Sequence, residues 1–313
     1  MKMTESIKSA SLKPTKGQPA GIKKASLIQR IITGAIFVAV VLSCIVAGNT
    51  FMLLPLLLIL FAVLGTYEFY RIVDPDMPKI PMYIGMIFAA TMPLSISIAS
   101  LAHDDFYPIL GTGDLRAVIA LFYVSIVALA FYMVWVAVNP QSHAKDAAIS
   151  LFGGLYLGIP LACLMLIREM DQGILLAVAI VFSIWAADSF AYLGGSLFGR
   201  HKLAPKISPK KSWEGLIAGI IGAVIFWYIV PFVFAGSASW LAAVIVGVIV
   251  SVAALLGDLF QSRIKREAGV KDSGRLLPGH GGILDRIDSL LLTAPIMFIV
   301  LSTIGVALGL LGS

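Results

Sequence analysis

Nine apolar runs, near residues 31–47, 51–66, 81–100, 117–138, 148–167, 174–197, 214–235, 240–260 and 289–310, make up most of this chain. Each is close to the roughly 17–25 residues that an α-helix needs to cross the hydrocarbon core of a bilayer. In lipid, a spanning segment must satisfy its own backbone donors and acceptors, so runs of this kind fold as helices. Only 13% of the 313 residues are charged and 59% are hydrophobic, whereas an average soluble domain carries about 25% charged residues. The expectation is an all-α polytopic integral membrane protein of about nine transmembrane helices, with one transmembrane domain over 27–313.

Residues 1–26 are rich in Lys, Ser, Thr and Pro, and read as a disordered basic cytoplasmic tail. The polar leader is long and a second apolar run follows the first almost at once, which argues against a cleaved signal peptide. The run 31–47 therefore reads as an anchor that stays in the membrane. The formal charge of +6 is uneven, with cations gathered in the tail, in 200–211 and in 263–286. By the positive-inside rule the loops 67–80, 139–147, 198–213 and 261–288 are cytoplasmic. This puts the N-terminus in the cytoplasm and the C-terminus outside. Cys44 and Cys163 lie in apolar runs without metal-ligand neighbours and read as small packing residues.

Chemical capacity concentrates in 262–288, where cations, glycines and carboxylates are interleaved between two membrane-length runs. If the eighth helix continues into the cytoplasm, Asp258, Ser262 and Lys265 share one face at i, i+4 and i+7. Asp285 and Asp288, at i and i+3, open the ninth helix on one face. Carboxylates converging in this way suit Mg2+, which takes one or two protein carboxylates plus phosphate oxygens, with room for a second cation. Gly279, Gly281 and Gly282 would let backbone amides approach phosphate, and the following helix N-terminus favours anions. Juxtamembrane cations are commonly topogenic, but that reading does not account for the glycines and carboxylates among them. Asp188, inside an apolar run, is costly there and so is a functional candidate, with a structural partnership to Ser189 or a polar residue of another helix as the alternative. Glu68 and Arg71 read as an interfacial i, i+3 pair, while His103, His143 and His201 show no ligand spacing.

The order Ser262, Lys265-Arg266, Lys271-Asp272, Leu277-Pro278, His280-Gly281-Gly282, Asp285-Arg286 and Asp288 resembles the signature of the phosphatidate cytidylyltransferases, also called CDP-diacylglycerol synthases. The run Ser208-Pro209-Lys210-Lys211-Ser212-Trp213-Glu214 resembles that family's other nucleotide-site element, which opens a helix. The resemblance implies transfer of the cytidylyl group of CTP to phosphatidate, releasing pyrophosphate. It implies Mg2+ on Asp258, Asp285, Asp288 and Asp188. Asp285, Asp258, Lys271, His280 and Arg286 become the catalytic set, with Ser208, Lys210, Lys211, Ser262, Lys265, Arg266, Gly281 and Gly282 binding substrate. CTP and phosphatidate are the implied partners within membrane lipid, with a homodimer as the candidate assembly and no nucleic acid. The implied location is a bacterial cytoplasmic membrane, with the site facing the cytoplasm. Two other readings stay open: a related CTP-dependent lipid kinase or cytidylyltransferase with another acceptor, and an ion-coupled transporter using Asp188.

Overall fold

The computed structural model describes residues 20–47, 52–101, 116–139, 143–234, 239–274, 276 and 281–305. Among them are nine helices: α1 (Ala20–Ala47), α2 (Leu53–Val73), α3 (Lys79–Leu101), α4 (Arg116–Val138), α5 (Ala144–Glu169), α6 (Gly173–Phe198), α7 (Trp213–Phe234), α8 (Trp240–Glu267) and α9 (Leu284–Ile304). Seven of these, α2, α3 and α5 to α9, contain stretches long and apolar enough to cross a membrane. The apolar stretches described in α1 and α4 are shorter, Ile32–Ala47 and Ile126–Val138. The protein is a polytopic integral membrane protein.

The expected all-α character has one exception. Between α6 and α7, β1 (Lys202–Ala204) pairs antiparallel with β2 (Ser208–Ser212), in a register that sets Lys202 opposite Ser212 and Ala204 opposite Ser208. The second basic loop is thus a hairpin. Its Ser-Pro-Lys-Lys-Ser run forms the strand that leads into α7, and the helix itself starts at Trp213. Pro209 and the lysines mask the strand in the sequence, because Pro and Lys are depleted in strands. The chain ahead of the first apolar run also differs from expectation, since α1 begins at Ala20.

Two packed groups meet at a seam. On one side α2, α3 and α5 pack together, with α4 against α3 and α5; on the other, α7 lies between α6 and α8. The ninth helix packs on α8 and α5 and also touches α2 and α6. Between membrane helices, lipid tails are as apolar as the side chains, so association depends on close backbone approach and small residues. A Cβ on Gly219 of α7 would lie 2.9 Å from the Ala187 carbonyl oxygen of α6. One on Gly257 of α8 would lie 2.7 Å from the Asp288 carbonyl oxygen of α9. These two contacts draw Asp188, Asp258 and Asp288 towards one region. Phe69 of α2, Tyr156 of α5 and Phe260 of α8 close the seam with tilted and edge ring contacts.

Candidate active site

The first turn of α9 exposes backbone amides that lack acceptors within the helix. Glu68, from the C-terminal part of α2, fills that place. Its carboxylate accepts hydrogen bonds from the amides of Ile283 at 3.1 Å and Leu284 at 2.9 Å, and from the Ser273 hydroxyl at 3.0 Å. The side chain is buried. This corrects the interfacial pairing read from sequence: Arg71 instead donates to the Pro75 carbonyl at 2.7 Å. It also means that the helix N-terminus read as an anion site holds the protein's own anion. Sequence reasoning missed this role of Glu68 because its partners lie more than 200 positions away, and with the apolar run ending at 66 nothing along the chain pointed to them.

Asp285 follows one residue after Leu284, with both oxygens engaged. Oδ1 accepts from the Lys265 ammonium at 2.7 Å, and Oδ2 accepts from the amides of Ser273 at 2.7 Å and Gly282 at 3.1 Å. Lys265 therefore serves Asp285. The Gly282 amide, expected to face phosphate, is used within the loop. Gly281 adopts φ +84°, and a Cβ there would lie 2.5 Å from Asp285 Oδ2. Only glycine lets the loop wrap the carboxylate this closely.

Asp258, one turn before Ser262 on α8, accepts the Ser262 hydroxyl at 3.1 Å and pairs with Lys211 of β2 at 2.6 Å. The shared face expected for Asp258, Ser262 and Lys265 is present. Asp285 and Asp288 separate, however. Asp285 turns to Lys265, while Asp288 lies within electrostatic reach of Asp258 and Asp188. Asp188 in turn lies within electrostatic reach of Asp258 and Lys211. Among the described residues no three His, Cys, Asp or Glu side chains form a ready metal-binding group. The donor chemistry still fits a hard divalent ion: Asp188, Asp258 and Asp288 offer only oxygens, and their mutual repulsion favours a cation among them.

Two cavities meet at Asp188. One, of about 180 Å³, is walled by apolar side chains of α1, α2 and α6, including Phe37, Leu57, Phe61 and Trp185, and is bordered by Asp188, Asp285, Arg286 and Asp288. The other, of about 260 Å³, lies between α6, β2, α7 and α8, and is bordered by Asp188, Ser208, Lys210 and Lys211. Lys210 and Arg286 are exposed. Ser212 caps α7 instead, accepting the Gly215 amide at 3.1 Å, and Glu214 accepts from His201 Nδ1 at 2.6 Å. Lys271 is exposed on the connection after α8, and Arg266 is exposed in the last turn of α8, where it donates to the Val270 carbonyl at 3.1 Å. The expected site residue His280 lies outside the described residues, as do Leu277, Pro278 and Gly279.

The sequence matches the model of the cytidylyltransferase family over residues 28–304, and the chain belongs to that family. Several similar proteins carry the name phosphatidate cytidylyltransferase. That of Bacillus subtilis is 32% identical over 277 residues, covering 88% of this chain and 97% of the relative. That of Synechocystis is 31% identical over 296 residues, covering 86% and 94%. That of Haemophilus influenzae is 47% identical over 128 residues, a stretch that covers 40% of this chain and 44% of the relative.

Proposed function

We propose that this chain is a phosphatidate cytidylyltransferase, transferring the cytidylyl group of CTP to phosphatidate to give CDP-diacylglycerol and pyrophosphate. The observation that carries the reading is the meeting of an apolar cavity and a lysine-bordered cavity at Asp188. A lipid acceptor needs the first and a triphosphate needs the second.

In the reaction an oxygen of the lipid phosphate attacks the α-phosphorus of CTP, and the bond to the β-phosphate breaks. The lipid phosphate, with a second pKa near 6, is mostly dianionic at neutral pH, so no general base is required. The problem is to bring two anions together and to hold the departing pyrophosphate, which calls for positioning and charge neutralisation. Lys210, Lys211 and Ser208 would take the triphosphate in their cavity. Arg286 borders the apolar cavity beside Asp285 and would take the lipid phosphate, with acyl chains entering between helices. Lys271 on the connection and Arg266 at the end of α8 would add positive charge at the cytoplasmic side, and His280 would donate to a phosphoryl oxygen. Mg2+ would be held by Asp258, Asp288 and Asp188, with Asp285 joining them where Lys265 releases its Oδ1. Bound there, the ion would neutralise phosphate oxygens. The site would face the cytoplasm of a bacterial inner membrane, with the N-terminus inside.

Label tracing tests the reaction class. Given CTP labelled in the cytidine and phosphatidate, the purified protein moves the label into the lipid phase. Movement of a γ-phosphate label into lipid would identify a kinase, and no movement of either would refute both enzymatic readings.

A further inference from the structure

We propose that Glu68 is a positioning residue for the transfer reaction: it is the resident anion of the α9 N-terminus and fixes the start of the helix that carries Asp285 and Asp288. This rests on the cytidylyltransferase reading for its catalytic consequence, but the anchoring itself is independent of substrate.

A buried carboxylate is costly unless its oxygens are hydrogen-bonded. Glu68 has no ion-pair partner among the described residues; its charge is met by the Ile283 and Leu284 amides and the Ser273 hydroxyl. A carboxylate at a helix N-terminus also gains from the aligned peptide dipoles. The loop is shaped around this group. A Cβ on Gly274 would lie 2.5 Å from Glu68 Oε1, and one on Gly282 would collide with both Glu68 oxygens. Gly282 stands between two carboxylates, since its bare Cα lies against Glu68 while its amide donates to Asp285 Oδ2 at 3.1 Å. Any shift of Glu68 moves Gly282, and Gly282 carries Asp285 with it. Through Leu57 and Phe61 the same helix walls the apolar cavity. The anchor therefore ties the loop to the wall against which the acceptor lipid would lie.

Glu68→Gln keeps the shape but replaces one acceptor oxygen with an NH2 group that cannot accept from Leu284 or Ser273. In purified protein, kcat should fall about 10-fold or more while KM for CTP stays within about 3-fold, the pattern of a misplaced but still occupied site. Deuterium exchange at the 283 and 284 amides should accelerate. Exposed Arg71→Ala on the same helix should change neither. Normal turnover by folded Glu68→Gln protein, or a loss confined to abundance, would overturn the proposal. So would a rise in KM for CTP at unchanged kcat, which would place Glu68 on the nucleotide. If Glu68→Gln fails to insert, Ser273→Ala removes one donor and leaves the helix amides paired; it should lower kcat, and unchanged kcat would overturn the proposal. If the unaltered protein is inert towards CTP and phosphatidate, the activity reading fails. Amide exchange in Glu68→Gln still decides the anchoring: acceleration supports it and unchanged protection overturns it.

Discussion

Lys265, near the end of α8, and Asp285, in the first turn of α9, form a 2.7 Å ion pair whose side chains are only 11% and 7% exposed. The two residues stand on either side of the glycine-bearing connection, so the pair closes that connection at its base. A buried pair of this kind is weak evidence for net stability, but breaking it strands a charge.

Lys265→Met should therefore destabilise the protein by about 3–5 kcal/mol, the usual cost of an uncompensated buried charge. Thermal unfolding in detergent measures this. Lys265→Met combined with Asp285→Leu should recover much of the stability but none of the turnover. An unchanged unfolding temperature for Lys265→Met alone would contradict the buried pairing.

Lys210 and Lys211 should separate in their effects. Lys211 pairs with Asp258 at 2.6 Å, whereas Lys210 is exposed beside the same cavity. Lys210→Gln should raise KM for CTP more than KM for phosphatidate, by an amount on the order of 1–3 kcal/mol if the ammonium is partly desolvated on phosphate. Lys211→Gln should do the same and also lower kcat, because Asp258 loses its counter-charge. Steady-state kinetics with each substrate varied in turn check this, and a selective rise for phosphatidate would reassign the hairpin to the lipid.

Chelation of divalent ions should abolish turnover, and added Mg2+ should restore it. Asp288→Asn keeps volume but removes one of the three carboxylates proposed to hold the ion; it should cost roughly 10²-fold or more in rate, with the protein still inserted. Asp285→Asn should lose activity too, but with a stability loss as well, since it abandons Lys265. Full activity of either folded variant would remove that residue from the site.

The helices were legible because lipid imposes one solution on a long apolar run, and each of the nine expected segments overlaps an observed helix. The site was legible as a set of residues but not as a set of partnerships. Asp285 and Asp288 share a helix face by their i, i+3 spacing, yet they divide between Lys265 and the region of Asp258 and Asp188. Spacing along one helix says nothing of which neighbouring element reaches each side chain. Glu68 was hidden for the same reason: its role exists only once α2 lies beside the start of α9. The β1–β2 hairpin was hidden differently, since its longer strand is built of serines, a proline and lysines that read locally as loop.

Orientation can be measured by labelling single cysteines in a background in which Cys44 and Cys163 are replaced. Gln172→Cys, in the exposed connection between α5 and α6, should react with an impermeant reagent on intact cells. Leu276→Cys, exposed beside the site, should react only after permeabilisation. The reverse pattern would put the site on the wrong side for cytosolic CTP.

The most direct test of the account is the product balance of the purified protein given CTP, Mg2+ and phosphatidate. The account predicts pyrophosphate and CDP-diacylglycerol in equal amounts, with neither formed when phosphatidate is omitted. CDP released without pyrophosphate, or pyrophosphate formed only with a different lipid acceptor, would contradict it.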